Sequence, residues 1–357
     1  MTLLVTVLVF ALIFEFINGF HDTANSVAAV VGTKVLTPSQ AIMLAAVMNL
    51  CGALAGTAVA TTVGKGLVDA HFITNTTILS ALCGATIWNL ITWRFGLPSS
   101  SSHALFGGLV GAAVASAGSW DVVIWSDPIA GKPWYAWGGL LYKVILPMFT
   151  SPMLGLLIGY GLTTVFYVAL SRLRPAGVNK VFRKLQVVSA AAMGFSHGSN
   201  DAQKTMGIVT LALFTWTQAG EALGLPSWLS FLRTPEFKIA VWIKVACAVT
   251  MAAGTAAGGR RIIKTLGRKV TRLQPVNGFT ADLTSATVLL ATAHFGMPVS
   301  TTHTVSASIM GVGAARSWRR TRWHLVESIV WAWVFTLPAS SLLAFGLMYL
   351  LKSMGAH

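Results

Sequence analysis

Charge is scarce in this chain. Only 10% of its 357 residues are Asp, Glu, Lys or Arg, while 55% are hydrophobic and the mean hydropathy is +0.70. A soluble domain carries about 25% charged residues, so a water-facing globule, a soluble enzyme and a disordered chain are excluded. Acids are scarcer still, with 10 Asp and Glu against 25 Lys and Arg. Cysteine is rare as well: Cys51, Cys83 and Cys247 are odd in number, sit in apolar surroundings and lack metal-ligand spacing, so they read as packing residues. What the chain does have is apolar runs, recurring from Val5 to Leu351, of the roughly 18 or more residues that cross a hydrocarbon core. The fold class is therefore an all-α integral membrane protein. Residues 1–20 lack a basic start and a small-residue cleavage site, and they read as a first membrane segment instead of a removed signal.

The net charge of +15 does not mark a nucleic-acid binder, because most of it sits in three short stretches. Five basic residues fall in 171–184, six in 260–272 and four in 316–322, each beside an apolar segment. Basic residues are retained on the cytoplasmic side of membranes, so these are orientation signals in contact with lipid headgroups. Trp134, Tyr135, Trp137, Trp318 and Trp323 sit where interfacial aromatics are expected.

Two unlike motifs each occur twice, in the same order. Asn18-Gly19-Phe20-His21-Asp22-Thr23-Ala24-Asn25-Ser26 returns as His197-Gly198-Ser199-Asn200-Asp201-Ala202-Gln203-Lys204-Thr205, and Gly96-Leu97-Pro98-Ser99-Ser100-Ser101-Ser102-His103 returns as Gly296-Met297-Pro298-Val299-Ser300-Thr301-Thr302-His303. Duplicated, interrupted segments of this kind mark transporter repeats. A stretch around 218–238 is the expected insertion in the second half. The second Gly-x-Pro motif has strongly basic flanks and the first does not, so the halves are expected to be inverted in the membrane. The expected division is a repeat over 1–170, a basic cytoplasmic linker over 171–185 and an inverted repeat over 186–357, with external termini. Each repeat would have a first segment broken by its glycine motif, at Gly19–Asp22 or Gly198–Asp201. A second segment and a helical hairpin turning at the Gly-x-Pro motif would follow.

Asp22 and Asp201 carry the chemistry. Each lies in an otherwise apolar span, where a carboxylate at the bilayer centre costs roughly 2.5–3.5 kcal/mol on the most permissive scale. Such groups face protein-lined cavities or pair with cations, so both are expected to hold coupling cations or protons, metal ions included. His21 and Asn200 occupy equivalent positions beside them. Asn25, Ser26, Gln203 and Thr205 add neutral hydrogen-bonding groups. Pro98 and Pro298 read as helix starts, leaving free N–H groups from 99 and 299 onward that favour an anion. Ser100, Ser101 and Ser102, with Ser300, Thr301 and Thr302, supply hydroxyls suited to a tetrahedral oxyanion that must later be released. His103 and His303 read either as packing groups or as gate and proton-linked groups. Lys204 stands where the first copy has Asn25, and we read it as a permanent positive charge in place of a second bound cation. An intramembrane serine hydrolase built on Ser102 and His103 is disfavoured, since adjacent helical residues point about 100° apart and cannot share a nucleophile–base hydrogen bond.

With these residues in hand, the sequence resembles the inorganic phosphate transporter (Pit) family over nearly its whole length. Asn18–Ser26 and Ser196–Gly207 look like the family's paired signature, and Gly96–His103 and Gly296–His303 match its paired Pro-Ser/Thr-His elements. His21-Asp22-Thr23-Ala24-Asn25, with Asp201-Ala202-Gln203-Lys204, is similar to the bacterial low-affinity branch. That resemblance implies secondary transport of inorganic phosphate across the inner membrane by alternating access, coupled to protons, with phosphate taken partly as a complex with Mg2+ or another divalent cation. It also implies a homodimer and no permanently bound cofactor. Sodium-coupled relatives carry a more symmetric Asn-Asp-x-Ala-Asn in both copies, and His21 and Lys204 depart from it. Sodium-coupled phosphate uptake and proton-coupled sulfate uptake are the nearest alternatives.

Overall fold

The computed structural model describes residues 1–131, 133, 136–258, 273–317 and 323–355. The basic stretch 260–272, most of 316–322, and Trp134, Tyr135 and Trp318 lie outside the described residues. In the first half, helices α1 (Thr2–Gly32), α2 (Pro38–Leu54), α3 (Ala58–Lys65), α4 (Asn75–Phe95), α5 (Ser101–Ala117) and α6 (Leu146–Ala169) follow one another. The second half runs α7 (Pro175–Gln218), α8 (Val241–Ala257), α9 (Pro275–His294), α10 (Thr301–Ser317) and α11 (Trp323–Ser353). A short 3-10 turn at Ser227–Leu232 occupies the insertion between α7 and α8, and α7 begins inside the segment read as a linker. Among the described residues, α1, α4, the run Leu141–Ala169 and α11 are each long and apolar enough to cross a membrane, and α2 with α3 makes a further, bent passage. The molecule is an all-α, multi-pass membrane protein.

Packing between the halves is reciprocal. α1 lies on α8 and α4, while α7 lies on α2 and α9; α11 covers the α4–α5 hairpin, while α6 covers the α9–α10 hairpin. α1 and α7 also pack on each other. Apolar side chains such as Leu157 and Val168 on α6, and Phe335 and Leu342 on α11, point outward, whereas the polar motif residues are buried between the two halves. Inside lipid, where apolar surface gains nothing by leaving lipid, close packing and polar contacts hold helices together.

The expected breaks at Gly19–Asp22 and Gly198–Asp201 are absent: α1 and α7 run unbroken through both motifs. The glycines serve another purpose. A Cβ on Gly19 would lie 2.3 Å from the Met251 carbonyl oxygen of α8, and one on Gly198 would lie 2.1 Å from that of Asn49 on α2. The partners reciprocate, since a Cβ on Gly254 would meet the Phe16 oxygen at 2.1 Å and one on Gly52 the Phe195 oxygen at 1.9 Å. Glycine here lets two backbones touch, as small residues do at membrane helix crossings. The broken passage is instead α2–α3, bent by 70°.

Both hairpins turn in the same way. Gly96 (φ 67°) and Gly296 (φ 63°) adopt the left-handed conformation after α4 and α9. Leu97 N then donates to Thr92 O and Met297 N to Thr292 O, while Ser99 N and Val299 N close on Leu97 O and Met297 O at 2.9 Å. The next helices start at Ser101 and Thr301, three residues beyond the prolines read as their starts. Ser100 and Ser300 cap them, each hydroxyl accepting from the N–H of His103 or His303 at 3.1 and 3.2 Å. The N–H groups of Ser99 and Val299 are thus spent within the turns.

A bulky residue at a crossing tests this packing. Gly52→Leu has no room to shift against the α7 backbone, and it is expected to destabilise the fold by about 1–3 kcal/mol or more. A fall in the unfolding temperature of the purified protein in detergent measures it, while Gly161→Leu, whose Cβ would meet nothing within 4 Å, is expected to leave it unchanged.

Candidate functional site

α1 and α7 pack on each other and bury their polar faces together. Asp22 is 3% exposed and Asp201 0%. His21 Nδ1 lies 2.7 Å from Asp22 Oδ1. Its Nε2 faces Thr92 Oγ1 of α4 at 3.2 Å, and the Ser99 hydroxyl donates to that same Thr92 oxygen at 2.7 Å. The first acid is thereby tied to the first hairpin. On α7, Asp201 is surrounded: Lys204 forms an ion pair with Oδ1, His197 Nε2 lies 3.1 Å from Oδ2, and Thr301 Oγ1 donates to Oδ2 at 2.8 Å. Asn49 of α2 holds the far side of the His197 ring, its Oδ1 lying 3.2 Å from Nδ1.

The two acids share one place. One ligand atom each from Asp22, His197 and Asp201 lie within 4.8 Å of one another, all three side chains being buried. A cluster of two carboxylates and an imidazole is a donor set that can hold a cation. Two bare carboxylates so close would repel by about 4 kcal/mol at 4 Å and an effective dielectric of 20, and the Lys204 ammonium offsets that repulsion. Lys204 is itself 2% exposed, and it donates also to Ser102 Oγ and, at 2.8 Å, to Val299 O. It therefore bridges α7 to the turns of both hairpins.

The Ser/Thr turns reach the same spot. Asn25 Nδ2 donates to Thr302 Oγ1 at 2.9 Å and to Thr301 Oγ1 at 3.3 Å. Each motif helix therefore grips the opposite half's hairpin: Asn25 of α1 holds the α10 start, and Lys204 of α7 holds the α5 start. Ser26 Oγ, Ser101 Oγ and both amide atoms of Asn200 are buried without a hydrogen bond. His103 and His303 meet edge to face with ring centroids 4.5 Å apart, and His303 stacks on Trp333 at 4.1 Å. That contact is a packed one between the two hairpins.

Four residues expected at the anion are engaged elsewhere. Gln203 Oε1 accepts from the N–H groups of Val59 and Ala60 at 2.9 and 3.4 Å, and its Nε2 donates to Ser199 O at 2.6 Å. It caps α3 where the α2–α3 passage bends. Thr205 donates to Glu15 on α1. Ser100 and Ser300 are committed as helix caps. Sequence reasoning missed Glu15, Asn49, His197 and Asp282, all buried. Glu15 and Asp282 carried the same signal as Asp22, an acid in an apolar run, but neither lies in a repeated motif.

Comparison with known proteins follows the same lines. The phosphate transporter family model matches residues 18–344. A protein of Bacillus subtilis (strain 168) named "Probable low-affinity inorganic phosphate transporter" is 40% identical over 341 residues, covering 96% of this chain and 95% of its own length. One of the same name from Rhizobium meliloti (strain 1021) is 42% identical over 343 residues, 96% of this chain and 94% of its own. In three dimensions the chain matches a solved structure described as "The sodium-dependent phosphate transporter", with a TM-score of 0.82 over 99% of this chain and 100% of that one. At 24% identity this likeness shows the shared fold. The named relatives are transporters and not enzymes. The chain belongs to the phosphate transporter family.

Proposed function

We propose that the chain carries inorganic phosphate across the inner membrane together with protons, by alternating access between two inverted repeats, within a homodimer whose termini face outside. The observation that carries this reading is the buried Asp201–Lys204 pair beside Asp22, ringed by the hydroxyls of both hairpin turns. Near neutral pH phosphate is a singly to doubly charged anion that accepts several hydrogen bonds. Ser102 and Thr302, whose hydroxyls only accept in their present contacts, with the unengaged Ser26 and Ser101 hydroxyls, supply donors without a charge strong enough to trap the anion. Asp22, His197 and Asp201 would hold a coupling cation, or the divalent ion of a metal–phosphate complex such as that of Mg2+. The names of the bacterial relatives agree with phosphate as cargo. The reciprocal grip of α1 and α7 on the opposite hairpins supports alternating access, because rocking one half against the other must exchange those contacts.

Lys204 is the reason to favour protons over sodium. Its ammonium occupies the position of Asn25 in the other repeat and already neutralises one carboxylate, so one cation fewer is needed to admit the anion. Replacing it with an uncharged residue removes that compensation. Lys204→Met is expected to abolish phosphate uptake in proteoliposomes and to recover in part at high sodium; transport kinetics equal to wild type would refute the role.

Asp22→Asn and Asp201→Asn are each expected to eliminate uptake while the protein elutes as a folded, monodisperse species, and near wild-type uptake by both would remove the site assignment. Counterflow of labelled phosphate under separately imposed proton, sodium and magnesium gradients identifies the coupling ion. Proton-driven accumulation that sulfate does not compete away is the expected result, and uptake driven by sodium alone would overturn the proton reading.

A further inference from the structure

The site described so far leaves two buried acids without a task, Glu15 and Asp282, and of these Glu15 is the one joined to the motif of α7, through Thr205. Glu15 lies on α1 and is 0% exposed. Its Oε2 accepts from the Thr205 hydroxyl and lies 3.5 Å from Asn18 Nδ2, while Oε1 has no hydrogen-bond partner. Asp22 has His21 beside it, and Asp201 has Lys204 and His197. Among the described residues, Glu15 has no ion-pair partner. Its hydrogen-bonding contacts among these residues are two neutral donors.

Its position ties it to the transport site. Seven residues, nearly two full turns, separate Glu15 from Asp22, so they share one face of α1 about 10 Å apart along the helix axis. Asn18 stands between them with its Oδ1 unpartnered and buried. Across the interface, Thr205, which holds Glu15, directly follows Lys204, which holds Asp201. Asp201 and Lys204 of α7 are the charged groups near enough to act on Glu15, and Cys247 of α8 is a titratable group close enough to feel its charge. His21 and Asp22 lie farther along its own helix.

A carboxyl group in such a place has two stable dispositions: neutral with a proton bound, or charged beside a cation. A group that can alternate between them carries exactly one positive charge per cycle. We propose that Glu15 is the residue that carries the co-transported proton; this rests on the proton-coupled reading above. When the anion occupies the site and draws the Lys204 ammonium, the electrostatic field at Glu15 changes, and the two events are linked through the Lys204–Thr205 step of α7. In the transfer the carboxylic O–H bond breaks, its proton passes to water on the side of low proton activity, and the remaining carboxylate takes a proton from the opposite aqueous phase. No other bond changes.

The test uses the full chain in proteoliposomes, with wild type, Glu15→Gln and Glu15→Asp side by side. Glu15→Gln preserves shape and the acceptor for Thr205 but holds no exchangeable acid proton. It is expected to keep counterflow of labelled phosphate without a gradient, and to lose both accumulation driven by a proton gradient and its dependence on pH. Glu15→Asp is expected to regain part of that accumulation. Proton-driven accumulation by Glu15→Gln equal to wild type would overturn the assignment alone, whereas wild-type uptake indifferent to a proton gradient would overturn the proton-coupled reading and this assignment with it. Loss of counterflow as well in Glu15→Gln would also overturn it, marking a role in packing or binding. If the glutamine variant does not fold, infrared difference spectra of wild type on adding phosphate decide: a carboxylic-acid carbonyl band that shifts in Glu15→Asp is expected, and its absence defeats the proposal.

Discussion

A cation buried with two carboxylates holds this molecule's centre together. Lys204 meets Asp201 in a place with almost no solvent, and breaking such a pair by removing one partner costs about 3–5 kcal/mol because the other charge is left uncompensated. The ammonium also reaches Ser102 of one hairpin and the Val299 carbonyl of the other. Three parts of the fold that are distant in the chain are therefore fixed by one side chain. Asp22, His197, Asn25 and the Ser/Thr turns take their positions around it.

That centre exists because the helices can approach closely. Gly19 against Met251 and Gly198 against Asn49 bring α1 onto α8 and α7 onto α2 with backbones in contact. Each half supplies one hairpin and grips the other half's, through Asn25 in one direction and Lys204 in the other. A polar interior wrapped by apolar outer faces on α6 and α11 suits a chain whose solvent is lipid. The two copies are not chemically alike, since Lys204 in one matches Asn25 in the other.

The sequence was most legible where chemistry and repetition coincided. Asp22 and Asp201 stood out because acids are costly in apolar spans and because both lay in copies of one motif, and the structure brings their carboxylates together. The hairpins over 75–117 and 275–317 were readable from Gly-x-Pro flanked by apolar runs. Glycine was the ambiguous signal. In Gly19 and Gly198 it was read as freedom to unwind, whereas it provides room for a neighbouring helix; the two uses are identical in sequence and differ only in what lies across the interface. Gln203 was ambiguous for the same reason, its amide being claimed by the N–H groups of Val59 and Ala60 at the start of α3. Glu15 went unread because it stands outside both repeats, although the cost of burying it is the same.

The sequence by itself determined that this is a polytopic helical membrane protein with two pairs of recurring motifs and acids inside its spans. Composition and apolar run length are set residue by residue, and the energy of a charge in lipid does not depend on the fold. Only the tertiary structure decided which partner each polar group takes. Whether Lys204 reached the interface or Asp201, whether Thr205 faced an anion or Glu15, and where the broken passage lay all depend on which helix face meets which. That is fixed by backbone contacts between segments that include pairs more than two hundred residues apart, where local pattern carries no information.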